Sequence, residues 1–297
     1  MTIYSSIGAN KRKTWIIMIG FILFFFMVSY VIGRAMGYGL SFAGIMLVIS
    51  GVITYISYYY SDKMVLSMSN AKPASKEEYR ELYTIVENLS IASGLPMPKV
   101  YVIHDQAPNA FATGRDPKHA VVAATTGLLS LLKKSELEGV IGHELSHVKN
   151  YDTRLMSIVA ILVGSLAILS DVFFRSMFFG GNDDNKKGNG IFILIALVLA
   201  ILAPIVATVI QLAVSRRREF LADADGALLT RYPDGLADAL LKIADDRHVL
   251  KHANTATAGL FFENPFKADT GRKTSWLVNM FSTHPPVESR VKALRDM

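Results

Sequence analysis

His143-Glu144-Leu145-Ser146-His147 puts two imidazoles and a carboxylate within five residues. On a helix, residues i and i+4 lie about 40° apart on one face, so both rings reach a single ion. The intervening Glu144 is angled to meet a water at that ion without ligating it. This is the equipment of a zinc peptidase: two ligands and a general base. The competing reading is a buried histidine pair in a structural helix. The chain has no cysteine, so a metal here must be held by histidine and carboxylate.

A catalytic zinc keeps three protein ligands and one open position. The best source of the third is Arg216-Arg217-Arg218-Glu219-Phe220-Leu221-Ala222-Asp223. Glu219 and Asp223 are four apart and share a helical face. With a cation nearby, Glu219 is the ligand and Asp223 accepts the N–H of a ligand histidine. The same spacing also fits a solvated acidic pair beside an arginine run. His248 and His252 repeat the i, i+4 spacing, but no glutamate lies between them and charges surround them, so they read as a solvated face.

Several elements must position these groups. Ser135 and Glu138 form a capping box, and Leu137, Val140, Ile141, Leu145 and Val148 give the motif helix an apolar stripe. Ser75 and Glu78 open an earlier helix that Gly94 closes. Lys99 to Ile103, Asn109 to Gly114 and His119 to Ala124 read as three short strands. Helix, short sheet and motif helix is the α+β order of a zincin. His119 to Ala124 immediately precedes the motif helix. It is either the sheet edge that receives an extended peptide or plain scaffold.

Hydrophobic residues make up 51% of the 297 positions, and mean hydropathy is +0.33. Both values point to lipid contact. Trp15 to Ile32 and Gly39 to Tyr60 each approach the roughly 20 apolar residues that span a bilayer. With Gly33 to Tyr38 as the turn they form a hairpin. The first run lacks a small-residue cleavage site and is not a removable signal. Leu155 to Phe179 and Ile191 to Val214 form a second pair around the polar linker Gly180 to Gly190. Asp171 and Arg175 can pair inside it, and it either spans or packs on the protease domain.

Lys11, Arg12, Lys13, Lys63, Lys72, Lys149, Arg154 and Arg216 to Arg218 flank the apolar runs on one side. By the positive-inside rule that side is the cytoplasm, and it carries both termini and the motif. The net charge of +6 then reflects membrane anchoring, and nucleic acid is not needed as a partner. The chain divides into a first hairpin (1–61), a zincin part (62–154), a second hairpin (155–214) and a closing protease part (215–297).

H-E-x-x-H followed by E-x-x-x-D resembles the gluzincin branch of zinc peptidases. Four motifs sharpen the resemblance: G-H-E-L-S-H-V-K-N-Y-D (142–152), R-R-R-E-F-L-A-D-A-D (216–225), N-A-F-A-T-G (109–114) and T-H-P-P (283–286). Together they resemble the bacterial HtpX heat-shock membrane proteases, relatives of the CAAX prenyl protease. The resemblance implies one Zn²⁺ held by His143, His147 and Glu219, with Glu144 as base and Asp223 behind a ligand. It implies that His284 and Arg290 stabilise the transition state and that Asn109, Ala110, Phe111 and Ala112 contact the substrate backbone. The implied fold is α+β, mainly α, with up to four transmembrane helices. The implied work is quality control of misfolded membrane proteins at their cytoplasmic regions. Two other functions fit less well. An intramembrane protease would place its motif inside an apolar run, whereas Lys149, Asn150 and Asp152 crowd this one. A transporter with structural zinc would use a closed four-ligand site.

Overall fold

The computed structural model of the chain describes residues 3–35, 40–162, 164, 216–250, 260–262 and 285–297. Helix α1 (Ile3–Ala35) and helix α2 (Leu40–Tyr59) pack along each other as the first hairpin. Both are long and apolar enough to cross a membrane. At 1.5 Å per residue α1 is about 50 Å long, against a hydrocarbon core of about 30 Å. It therefore has length to spare beyond the bilayer. Its buried stripe is Asn10, Thr14, Met18, Phe21, Phe25 and Ser29, while Trp15, Ile16, Ile19, Leu23 and Met27 face outward. On α2 the buried positions are small: Ala43, Ser50, Thr54 and Ser57. Small residues let two helices approach closely in lipid.

A short helix, α3 (Ser61–Met68), leads into a four-stranded sheet. Its strands are β1 (Lys72–Pro73), β2 (Lys99–Ile103), β3 (Ala110–Thr113) and β4 (Val121–Thr125). Their spatial order is β1-β2-β4-β3. β2 runs parallel to β4, with Tyr101 opposite Ala123, and β3 runs antiparallel to β4, with Ala112 opposite Val122. Of the two readings of His119 to Ala124, receiving edge or plain scaffold, the strand order rules out the edge. β4 is paired on both sides, and the edge on that flank is β3. The chain makes a hairpin that adds β3 outside β4, so the strand nearest the motif in sequence is internal.

Between β1 and β2 lies α4 (Arg80–Ser93). Ser75 does organise the turn before it, accepting from the Glu78 N–H at 3.3 Å, but the regular helix starts one turn later. Gly94 closes α4 at φ +69°, a left-handed conformation that glycine adopts without a Cβ clash. After β4, the short α5 (Thr126–Leu131) precedes the motif helix α6 (Lys134–Lys149). The cap of α6 differs from the Ser135/Glu138 expectation. The Lys133 N–H donates to the Glu136 carboxylate at 2.8 Å, and Lys242 Nζ lies 2.7 Å from both Glu136 oxygens. The helix thus starts two residues earlier than the sequence signature suggests.

Helix α7 covers residues 152–162. Then come α8 (Arg216–Thr230), α9 (Pro233–Asp245) and α10 (Val287–Arg295). The sheet is covered on both faces. Val100, Val102, Ala112 and Val122 meet the apolar sides of α4, α6 and α9, including the Leu137–Val148 stripe. Phe111, Val121 and Ala123 meet Val65 and Leu66 of α3, Met156 and Ala160 of α7, and Leu260 and Phe261. The first turns of the second apolar run also bury Ile158 and Leu162 against Met18, Phe21 and Phe25 of α1. The rest of that run, with Asp171, Arg175 and the linker, lies outside the described residues.

Candidate metal centre

Helices α6 and α8 carry the ligand candidates, and two glycines set how closely these helices approach. A Cβ on Gly226 would lie 2.8 Å from the His143 backbone nitrogen, and one on Gly142 would lie 3.2 Å from the Gly226 carbonyl oxygen. With backbone against backbone, Glu219, two turns upstream of Gly226, reaches the two histidines.

One ligand atom from each of His143, His147 and Glu219 falls within 4.8 Å of the others. The two Nε2 atoms are 3.1 Å apart, His147 Nε2 is 3.5 Å from Glu219 Oε1, and His143 Nε2 is 3.8 Å from Glu219 Oε2. Zn–N and Zn–O bonds of about 2.0–2.2 Å in a tetrahedron set ligand atoms roughly 3.3–3.5 Å apart. The observed triangle fits that size. All three side chains are buried.

The opposite ring nitrogens explain why the triangle points inward. His143 Nδ1 donates to Asp223 Oδ1 at 2.9 Å, and His147 Nδ1 donates to Asp152 Oδ2 at 3.0 Å. Protons fixed on both Nδ1 atoms turn both Nε2 lone pairs toward each other and toward a carboxylate. Three electron-rich atoms facing each other in a buried space call for a cation. Without one, the two histidines divide sharply. Burial drives His143 down to about 4, against the upward pull of Asp223. Burial acts the same way on His147, but the hydrogen bond to Asp152 and the charges of Glu219, Asp152 and Glu144 overcome it and raise His147 to about 9.

Asp223 is held from behind. Arg290 of α10 donates through Nε and Nη2 to its two oxygens at 2.8 and 2.7 Å, and both side chains are buried. Burial alone would raise the Asp223 carboxyl, but the Arg290 and His143 hydrogen bonds hold it down at about 2. The structure therefore brings Arg290 to the site through Asp223. The Arg290 guanidinium also lies 5.0 Å from the Phe262 ring centre. His284 falls outside the described residues, as does His252. Pro286 does stand at the start of α10, as its position suggests. His248 is exposed, with its ring nitrogen 3.1 Å from Asp246.

A narrow cleft opens on the triangle, lined by His143, Glu144, His147, Ala112, Met156 and Phe262 among others. Edge strand β3 forms one wall. The Phe262 N–H donates to the Ala110 carbonyl at 2.8 Å, so that carbonyl points away from β4. By the alternation of an antiparallel ladder, the Ala112 backbone groups point the same way. Asn109 braces the strand entry: its N–H donates to Thr125 Oγ1 and its side-chain oxygen accepts from Ala110. Phe111 points to the opposite face, against Phe261.

Sequence reasoning missed three participants: Asp152 as partner of His147, and Arg218 and Asn10 as partners of Asp152. Asp152 is visible in sequence only as an acid five residues past a ligand. Nothing in the sequence marks the other two.

The geometry is that of a metal-dependent peptidase beside a membrane hairpin, and comparison with known proteins agrees. The model of peptidase family M48 matches residues 76–297. A protein named "Protease HtpX homolog" from Dictyoglomus thermophilum is 47% identical over 296 residues, covering 100% of this chain and 95% of that protein. Its namesake from Tropheryma whipplei (strain Twist) is 45% identical and covers 99% of this chain and 98% of its own length. Among solved structures, Ste24p of S. mikatae aligns with 98% of this chain and 66% of its own, at a TM-score of 0.50 and 17% identity, which marks a shared fold. A metal-binding triad on an H-E-x-x-H helix, a full-length match to these proteases and two membrane-length helices lead to one assignment: the chain belongs to peptidase family M48, as a membrane metallopeptidase of the HtpX group.

Proposed function

We propose that the chain is a zinc endopeptidase of a bacterial cytoplasmic membrane, acting on cytoplasmic stretches of misfolded membrane proteins. The observation that carries this reading is the convergence of the His143 and His147 Nε2 atoms and the Glu219 carboxylate beside an edge strand. The basic end of α1, at Lys11, packs over Tyr151 just past the motif helix, with Lys11 Nζ 4.2 Å from the ring centre. That contact supports a cleft on the Lys/Arg-rich side of the hairpin, which the positive-inside rule makes the cytoplasmic side.

His143, His147 and Glu219 would hold the zinc, which would supply Lewis-acid polarisation and a water of lowered pKa. Glu144 takes the proton of the attacking water and returns it to the leaving amine. Substrate adds as a strand to β3 at Ala112, whose backbone groups face away from β4, while Asn109 braces the strand entry. His284 is assigned the stabilisation of the developing oxyanion, a role that rests on the T-H-P-P resemblance. Arg290 acts through Asp223, which holds His143 in place.

The test uses purified full-length protein, zinc and an unfolded substrate such as casein. Wild type is expected to cleave and Glu144→Gln to bind metal normally and fall by at least about 10²-fold. Equal cleavage by both proteins refutes the role of Glu144. Inhibition by a water-soluble chelator added to inverted membrane vesicles, but not to right-side-out ones, is the expected sign of a cytoplasmic cleft. The reverse pattern refutes the orientation.

A further inference from the structure

We propose that the first membrane helix is a working part of the metal centre, through Asn10. This rests on the reading that His143, His147 and Glu219 hold a metal. Asn10 lies one turn before Trp15, on the buried stripe of α1, and is 3% exposed. Its amide nitrogen donates to Asp152 Oδ1 at 2.7 Å and to the Asn150 carbonyl at 3.0 Å. Its amide oxygen accepts from Arg218 Nη1 at 3.3 Å. Both donors and the acceptor of a buried amide are therefore used, and all three partners belong to the segments that carry the ligands.

Asp152 is the hub. One oxygen accepts from His147; the other accepts from Asn10 and from Arg218 at 3.1 Å. A carboxylate gripped at both oxygens cannot rotate, so the His147 ring orientation is fixed as well. Arg218 adjoins Glu219, so the same contact ties the helix of the third ligand to the partner of the second. Asn10 brings α1 into that junction from outside the peptidase fold. A leucine there would fill the stripe but leave the Asp152 carboxylate and the Asn150 carbonyl without this donor, so the amide's hydrogen bonds lead to a metal ligand. Asn10 is thus a positioning residue, and docking of α1 sets the geometry of the metal centre.

The experiment measures zinc affinity by chelator competition and the visible spectrum of the cobalt-loaded protein, on full-length chain in lipid nanodiscs. Asn10→Ala is expected to weaken zinc roughly 10-fold and Asp152→Asn by about 10–100-fold, the range for outer hydrogen-bond partners of metal ligands. The cobalt bands should shift in both, a change that a loss of thermal stability alone would not produce. Because Asn10 acts through Asp152, the double variant should bind no more weakly than Asp152→Asn alone. Additive losses, or an Asn10→Ala protein with wild-type affinity and spectrum, overturn the proposal. Asn10→Ser serves the same comparison if the alanine protein does not accumulate. Glu219→Ala separates the two readings: wild-type metal affinity in that variant refutes the metal site itself, whereas its loss alongside a silent Asn10→Ala refutes only the role of α1.

Discussion

Arg290→Met tests whether the buried guanidinium works through Asp223. Arg290 is 0% exposed and Asp223 2%. Methionine keeps apolar volume but removes the charge, so the Asp223 carboxylate loses the cation that meets both its oxygens. Breaking a buried pair from one side costs about 3–5 kcal/mol. For a chain of this size that is a fall of roughly 6–20 °C in unfolding temperature. The Asp223 carboxyl also climbs from about 2 once its guanidinium is gone, which weakens its grip on His143 Nδ1. Losing such a partner costs about 10–100-fold in metal affinity. The double variant Arg290→Met/Asp223→Leu separates the two effects. Replacing both charges with apolar groups should restore most of the stability, but His143 still lacks its acceptor, so metal affinity stays low. Thermal unfolding of the metal-free protein and chelator competition read the two quantities separately. If Arg290→Met loses turnover with wild-type stability and metal affinity, the group acts on the reacting atoms and the reasoning is refuted.

Metal binding should also depend on pH in a defined direction. His147 is raised to about 9 in the metal-free site, while ligation needs its Nε2 bare. Near pH 7.5 each metal bound should release about one proton, and affinity should rise about tenfold per pH unit until it levels near 9. Calorimetry in two buffers of different ionisation enthalpy measures this, and zero release contradicts it. Gly226→Ala is expected to lower both unfolding temperature and metal retention, because its Cβ would lie 2.8 Å from the His143 nitrogen. Alanine otherwise favours a helix by about 1 kcal/mol, so a more stable variant would show that the helix contact is slack.

The motif helix was readable because its apolar stripe and its chemistry share one short segment. Glu219 and Asp223 were readable as a pair for the same reason: four residues on a helix fix a common face. Strand order was not. Neighbours in sequence suggest neighbours in space, yet β2 pairs with β4 across an excursion that puts β3 outside. Asp152 returns beneath His147 because Tyr151 takes φ +60°, a backbone reversal that no residue type announces there. Arg290 was named from resemblance alone, and only coordinates give it Asp223 as partner. Asn10 lies 142 residues before Asp152, and no local pattern spans that distance.

The two borders of the sheet are treated unequally. β1 is two residues long, carries Lys72, and ends in Pro73, which has no N–H to offer. Short length, a lysine and a proline are the means by which proteins stop stray chains from annealing to a sheet. The opposite border, β3, is four residues long and runs beside Glu144, with the Phe262 N–H on its Ala110 carbonyl. On the proposed reading an unfolded polypeptide would add beyond that contact, at Ala112, and a surface hazard common to β proteins would become the means of capture.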